Sequence, residues 1–257
     1  MYWMTGRRPS GLLVCLFGTF LAASLAKAQS RYRPPLECER IDFGAIGLAC
    51  NERSPCPLSL ELTATAGAGP VVVVAGQIRS PELTIASIAL RSADGGRTWQ
   101  EPVERTLAAG FEQVVFADPT HLLLGGMEGE PPSAEPLLFV SEDGGLTWER
   151  RRFFDEDSRR GGAVIALIFD DVRHGFAVVE RLSSVGDPFE TYETRDGGRS
   201  WSIVSISAER PTLPAERNPA PVAWRLVDSD EGFTLERLEQ QQWTPQAEFP
   251  SDLGECR

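Results

Sequence analysis

The sequence predicts an all-β protein made of a repeated four-stranded unit. Two observations carry this. One turn-like octapeptide recurs three times at nearly even spacing. No long helical period appears after the first thirty or so residues; the rest is short apolar or alternating runs divided by Gly, Pro and Asp.

The recurring segments run Ser92 to Trp99, Ser141 to Trp148 and Thr194 to Trp201, all on the pattern S/T-x-D-G-G-x-T/S-W. Asp94, Asp143 and Asp196 are 49 and 53 residues apart, close to the period of about 40–50 expected for a four-stranded propeller blade. Each segment reads as a hairpin turn. The Gly pair (ending in Gly96, Gly145 and Gly198) supplies positive φ, the Asp carboxylate accepts turn N–H groups, and Trp99, Trp148 and Trp201 open the next strand and bury their rings. These nine positions read as structural, although the Trp set could also be imagined stacking on sugars.

The repeat extends upstream. Phe116-Ala-Asp118 and Phe169-Asp-Asp171 each stand 25 residues before a turn Asp, and each leads into an apolar run. In the second unit the strands are expected near 112–117, 121–126, 136–141 and 147–153. A fourth unit starts at Trp224 and ends at Ser251-Asp252-Leu253-Gly254, a degraded turn. The expected architecture is a small β-propeller of about four blades spanning 58–256. Its last blade is completed by an N-terminal strand, for which Glu39–Gly47 is the candidate. Closing a ring removes open sheet edges.

The N-terminus reads as a secretory signal over 1–28: Arg7 and Arg8, an apolar run from Gly11 to Leu25, and Ala26-Lys27-Ala28 before the cut. The run is shorter than the about 20 residues of a membrane span; an uncleaved anchor is the alternative. Export to a periplasmic or extracellular space leaves no expected membrane insertion. Whole-chain charge is −12, and loss of Arg7, Arg8 and Lys27 makes it −15. That balance argues against nucleic acid and anionic lipid. Residues 29–57 then form an N-terminal segment with the closing strand and a Cys loop. Four Cys remain, an even count suited to two disulfides in an oxidising compartment. Cys38–Cys256 would lock the ring where it closes and Cys50–Cys56 would pinch a short loop; a local N-terminal knot is the competing pairing.

The repeated turn resembles the Asp-box, or bacterial neuraminidase repeat. The fuller F-x-D…G-F-A-V…T-x-D-G-G-x-S-W pattern looks most like the photosystem II stability/assembly factor-like group. Sialidases and sortilin-type receptors carry the same box. The resemblance implies a rim position for the box, and assembly or stabilisation of a larger envelope complex as the task.

Chemistry is sparse in the pattern. A sialidase needs an arginine triad, a Tyr activated by Glu and an acid/base Asp. Tyr32 falls in a Pro-rich, loose N-terminus, and Tyr192-Glu193 leads into the third turn. His121 and His174 each follow an Asp by three residues, as repeated turn residues or, less simply, metal ligands. Asp155 to Arg160 lacks the Gly and Glu of a calcium loop, and Ser183-Ser184 has no His in pattern. Trp224 and Trp243 lie outside the intact turns and are the better surface aromatics. Arg150, Arg151, Arg152, Arg159 and Arg160 form the basic cluster of an acidic chain, a candidate docking site for a protein partner. The expectation is therefore a non-catalytic binding or assembly protein with no catalytic set, metal or cofactor. The alternative is a carbohydrate-directed protein, lectin-like or a sialidase-like glycosidase.

Overall fold

The computed structural model describes residues 30–131, 133–153, 161–182, 186–213 and 223–257. The strands are β1 (Ser30–Arg31), β2 (Cys56–Ala68), β3 (Val71–Arg79), β4 (Thr84–Ser92), β5 (Ala109–Phe116), β6 (Leu122–Glu128), β7 (Glu135–Ser141) and β8 (Glu149–Arg151). They continue as β9 (Ala163–Phe169), β10 (Gly175–Glu180), β11 (Phe189–Thr194), β12 (Ser202–Ser207), β13 (Trp224–Ser229), β14 (Gly232–Glu239), β15 (Gln242–Pro250) and β16 (Asp252–Cys256).

They form four four-stranded sheets, the blades of a small β-propeller. Blade 1 has the order β16-β2-β3-β4, blade 2 β5-β6-β7-β8, blade 3 β12-β11-β10-β9, and blade 4 β1-β15-β14-β13. All pairings are antiparallel except β1 with β15, which is parallel. An N-terminal strand thus does complete the last blade, but it is Ser30–Arg31. Cys38–Arg40 and Gly44–Ile46, inside the candidate stretch, are single 3-10 turns. Phe43, Ile46 and Leu48 instead pack on the core between blades 4 and 1, a use of apolar side chains that periodicity cannot separate from a strand's.

The core lies between blades rather than within one. Leu60, Val72, Val74, Ile88 and Leu90 of blade 1 meet Trp224, Leu235, Ala247 and Phe249 of blade 4. Val73, Ala75 and Ala89 of blade 1 meet Phe111, Leu122, Leu124 and Leu137 of blade 2. Leu123, Leu138 and Val140 of blade 2 meet Val164, Leu167, Ala177, Val179 and Tyr192 of blade 3. Trp224, expected at the surface, is 3% exposed in the first of these layers. It opens an inner strand, and its ring fills the space beside Gly67.

The inner strands lie side by side in the order β13, β2, β5, β9. Between β9 and β13 no comparable contact occurs among the described residues. The far flank of blade 3, built on Ala166 and Val178, is met by Leu213. The reason lies in the repeat. Gly96 packs on Leu235 and Gln246 of blade 4, Gly145 on Arg91 of blade 1, and Gly198 on Leu123 and Val140 of blade 2. Each intact turn therefore docks on the preceding blade. Blade 4 has only the degraded Ser251–Gly254 to offer blade 3, and that segment runs into β16, which pairs with β2 instead.

Two disulfides hold the chain, Cys38–Cys256 and Cys50–Cys56, with sequence separations of 218 and 6. The first fastens the N-terminal segment to β16 at the junction of blades 4 and 1. A crosslink restricts the unfolded chain more as its loop lengthens. Replacing Cys38 and Cys256 with Ser should cost about 2–5 kcal/mol in urea denaturation. The Cys50–Cys56 pair replaced in the same way should cost less.

Candidate functional site

The inner strands of blades 1, 2 and 3 each carry a β-bulge at the same place in the repeat. The residue left out of register is Thr63 in β2, Glu112 in β5 and Ile165 in β9. A bulge bends its strand and re-aims one side chain. The bulged row is tied together across blades: Thr63 Oγ1 donates to the Phe111 carbonyl, and Gln113 Nε2 donates to the Ile165 carbonyl at 3.1 Å.

Glu112 is the acid in that row, and its side chain is accessible. Burial by the surrounding protein raises its pKa above the ordinary carboxyl range, and the negative charge of Glu61 raises it further. Glu61, on β2, accepts from Gln77 Nε2 at 3.0 Å and from Arg79 Nη1 at 3.1 Å. Gly110 permits this arrangement, since a Cβ there would stand 2.2 Å from Gln77 Oε1. Glu61 and Arg79 also line an open cleft of about 550 Å³ with Ser59, Ser80, Ser251 and Asp252. The chemical content is two carboxyl groups in unlike settings, Glu61 ion-paired to Arg79 and Glu112 with a raised pKa.

Sequence reasoning passed over Glu61, Gln77, Arg79 and Glu112. One signal was present: at the position where the flanking units have Thr63 and Ile165, the second unit has an acid. Nothing in the residue types announces the bulge that exposes it.

The residues singled out from the sequence are mostly structural in their contacts. In the first turn, Asp94 Oδ1 accepts from Ser92 Oγ, Arg97 N and Thr98 N at 2.8, 3.0 and 2.9 Å, and Oδ2 accepts from Thr98 Oγ1 at 2.7 Å. Gly96 N donates to Ser92 Oγ, and Trp99 Nε1 donates to the Gly96 carbonyl at 3.1 Å. Asp143 with Trp148, and Asp196 with Trp201, repeat the set. Partial burial pushes the Asp94 and Asp143 pKa values up, but the turn hydrogen bonds outweigh it and bring both down to about 2.

His121 and His174 occupy equivalent places with different partners. Buried His121 reaches the Gly197 carbonyl in the turn of the next blade at 2.8 Å. His174 lies between Glu193 and Asp170, and the hydrogen bond its Nε2 donates to Glu193 leads in raising its pKa. No group of three or more potential metal ligands occurs among the described residues.

Tyr32 is not loose: its N–H bonds the Glu248 carbonyl at 2.9 Å, and its ring packs near Trp99 and Phe249. Burial, then the charge of Glu101, raises its pKa, the wrong direction for an activated phenol. Tyr192 donates to Glu190 at 2.7 Å rather than engaging Glu193. Trp243 lies under the Arg225 guanidinium. Arg150 and Arg151 pair with Glu128 and Glu149, so this part of the basic cluster is met by neighbouring acids. Arg159, Arg160, Ser183, Ser184, Asp155 and residues 1–28 lie outside the described residues.

No family model matches the chain. One curated protein does, the oligoxyloglucan-reducing end-specific xyloglucanase of Emericella nidulans: 39% identical over 67 residues, which are 26% of this chain and 8% of that protein. Over those residues the chain is similar to a xyloglucanase. That match overturns the expectation of a chain without catalytic activity, because the curated relative is an enzyme. The chain spans less than a tenth of its length. Among solved structures, YCF48 bound to a D1 peptide is 17% identical, covering 77% of this chain and 60% of that one, with a TM-score of 0.39. The GH74 xyloglucanase from Xanthomonas campestris is 15% identical over 74% of this chain and 30% of its own, with a TM-score of 0.41.

The turn carboxylates set an acid limit on stability. Their folded pKa lies below the ordinary value of 3.8, so their contribution is complete above that pH and is lost as pH falls toward about 2. Asp143→Ala should cost about 1–3 kcal/mol at neutral pH by leaving turn N–H groups unpaired. In urea denaturation over a pH series, that deficit should shrink as pH approaches the Asp143 pKa.

Proposed function

We propose that this chain is an exported, carbohydrate-directed propeller whose inner-strand carboxylates act on a glycosidic bond. The observation that carries the reading is Glu112, an accessible acid set on a bulge, whose pKa is raised by its surroundings and then by the charge of Glu61. The match to a xyloglucanase supports it.

In this reading Glu112 gives its proton to the glycosidic oxygen as the bond to the anomeric carbon breaks. Glu61, held by Arg79 and Gln77, supplies the negative charge that faces the developing cation, and water adds to the anomeric carbon. The proton released by that water restores Glu112. The substrate class is a neutral glycan such as a xyloglucan oligosaccharide rather than a sialoside. A chain of net charge −12 with two carboxylates at the site repels an acidic sugar. Tyr32 and Tyr192, the phenols weighed for sialidase chemistry, are engaged elsewhere. Two disulfides suit an oxidising, exported setting.

The test is release of reducing ends from xyloglucan oligosaccharides, arabinan and a fluorogenic sialoside by the purified chain. Glu112→Gln should lower turnover on the neutral glycan by about 10²–10⁴-fold without changing the melting temperature. Activity should fall as pH rises through the raised Glu112 pKa. Glu61→Gln removes the charge that raises it, so the alkaline limb of any residual activity should move to lower pH. Glycan binding without hydrolysis would leave a lectin. Full activity in Glu112→Gln would remove Glu112 from the chemistry.

A further inference from the structure

Blade 3 differs from the others at its outer edge. In blade 2 that edge is β8, three residues long and charged throughout, with Arg150 and Arg151 in ion pairs. In blade 4 the edge of β15 is covered by β1. In blade 1 the edge of β4 is met by the following chain, with Arg91 and Gln100 exchanging two backbone hydrogen bonds. In blade 3 the edge is β12, six residues of sequence Ser-Ile-Val-Ser-Ile-Ser with no charge, and no strand pairs with its outer side among the described residues. Ile203, Val204 and Ile206 are 44, 50 and 54% exposed. Natural edge strands are kept short, charged or covered, because open N–H and C=O groups recruit another strand. Among the described residues β12 has none of these protections.

We propose that β12 is the self-association surface of this protein, pairing antiparallel with β12 of a second copy across a two-fold axis. Three features select a second copy over another partner. First, the strand is self-complementary. Read in opposite directions, two copies place Ser202 opposite Ser207, Ile203 opposite Ile206 and Val204 opposite Ser205. Second, the register shift toward β11 leaves Val204 unpaired, so Ile203 stands opposite Tyr192 and Ile206 opposite Glu190. Tyr192 and Glu190 alternate on one face of the sheet, so both isoleucines lie on that face. The two-fold pairing then gathers four isoleucines into one cluster, where a regular strand would split them between faces. Third, the chain is strongly acidic, and like charges set opposite one another oppose pairing. β12 lets two copies meet without such a pair. The contact is isologous and consumes the one edge that is long, uncharged and uncovered among the described residues, so it closes at a dimer. It is independent of the glycan reading, since Glu61 and Glu112 lie on blades 1 and 2.

Sedimentation equilibrium on the purified full chain tests this, with the expected result twice the mass of one chain. Ile203→Lys and Ile206→Lys should each weaken the dimer by tenfold or more at unchanged melting temperature, because both side chains are exposed. Ile206→Val should retain it. Chains carrying Ser202→Cys, mixed with chains carrying Ser207→Cys, should form an intermolecular disulfide on oxidation. Four results would overturn the proposal: a monomer at all concentrations, a dimer indifferent to Ile206→Lys, species growing beyond a dimer, or a monomer whose β12 pairs with an unrelated extended peptide.

Discussion

The contact on which this architecture depends is the docking of each Asp-Gly-Gly turn against the blade before it. The Asp carboxylate gathers two backbone N–H groups and two hydroxyls in each of the first two turns, which fixes the turn through its own local bonds. The second glycine of each turn sits at positive φ, a conformation that any side chain would strain, and lies against the neighbouring blade. Cross-blade bonds then reach the same turns: Arg91 Nε to the Gly144 carbonyl at 2.6 Å, His121 to the Gly197 carbonyl, and Ser30 to the Gly96 carbonyl. The turn is thus a blade-to-blade joint as well as a hairpin end, and the loss of one in blade 4 is felt at the flank of blade 3.

That dependence explains what could be read from the sequence. The turns, the blade count and the strands of the second unit follow from local chemistry repeated at a fixed spacing, and β5, β6 and β7 fall within a few residues of expectation. Which N-terminal residues complete the last blade did not follow. Ser30–Arg31 is too short to show a period, while Glu39–Gly47 has apolar residues that serve equally in a packed 3-10 segment. Trp224 was misplaced for a related reason: standing outside an intact turn says nothing about which face of an inner strand it occupies.

The candidate site was hidden more deeply. Glu112 and Glu61 belong to different blades, and their coupling is created by inner strands lying side by side, which no spacing encodes. The bulges that align Thr63, Glu112 and Ile165 are backbone features with no residue signature. The residues that looked chemical, Tyr192 and His121, are taken up by a buried carboxylate and a turn carbonyl. Polar side chains at regular places in a repeat are commonly consumed in holding it together, because buried polar groups need partners. The residue that breaks the repeat is the better place to look for function.

The same logic joins the disulfide to the site. Cys256 stands opposite Cys56 in the pairing of β16 with β2, and the Leu60 N–H bonds the Ser251 carbonyl at 2.7 Å. Cys38–Cys256 therefore clamps β16 along the first half of β2, the half that ends at Glu61. Asp252, the first residue of β16, and Ser251 before it form part of the wall of the cleft that Glu61 and Arg79 line. A clasp that closes a long loop gains most of its stabilising effect from the unfolded chain, yet its native consequence is local. It fixes the strand that bounds one carboxylate, while the bulge and the cross-blade bonds of Thr63 and Gln113 fix the other. The two halves of the site are thus held by separate devices, one covalent and at the junction with blade 4, the other made of hydrogen bonds through blades 1, 2 and 3.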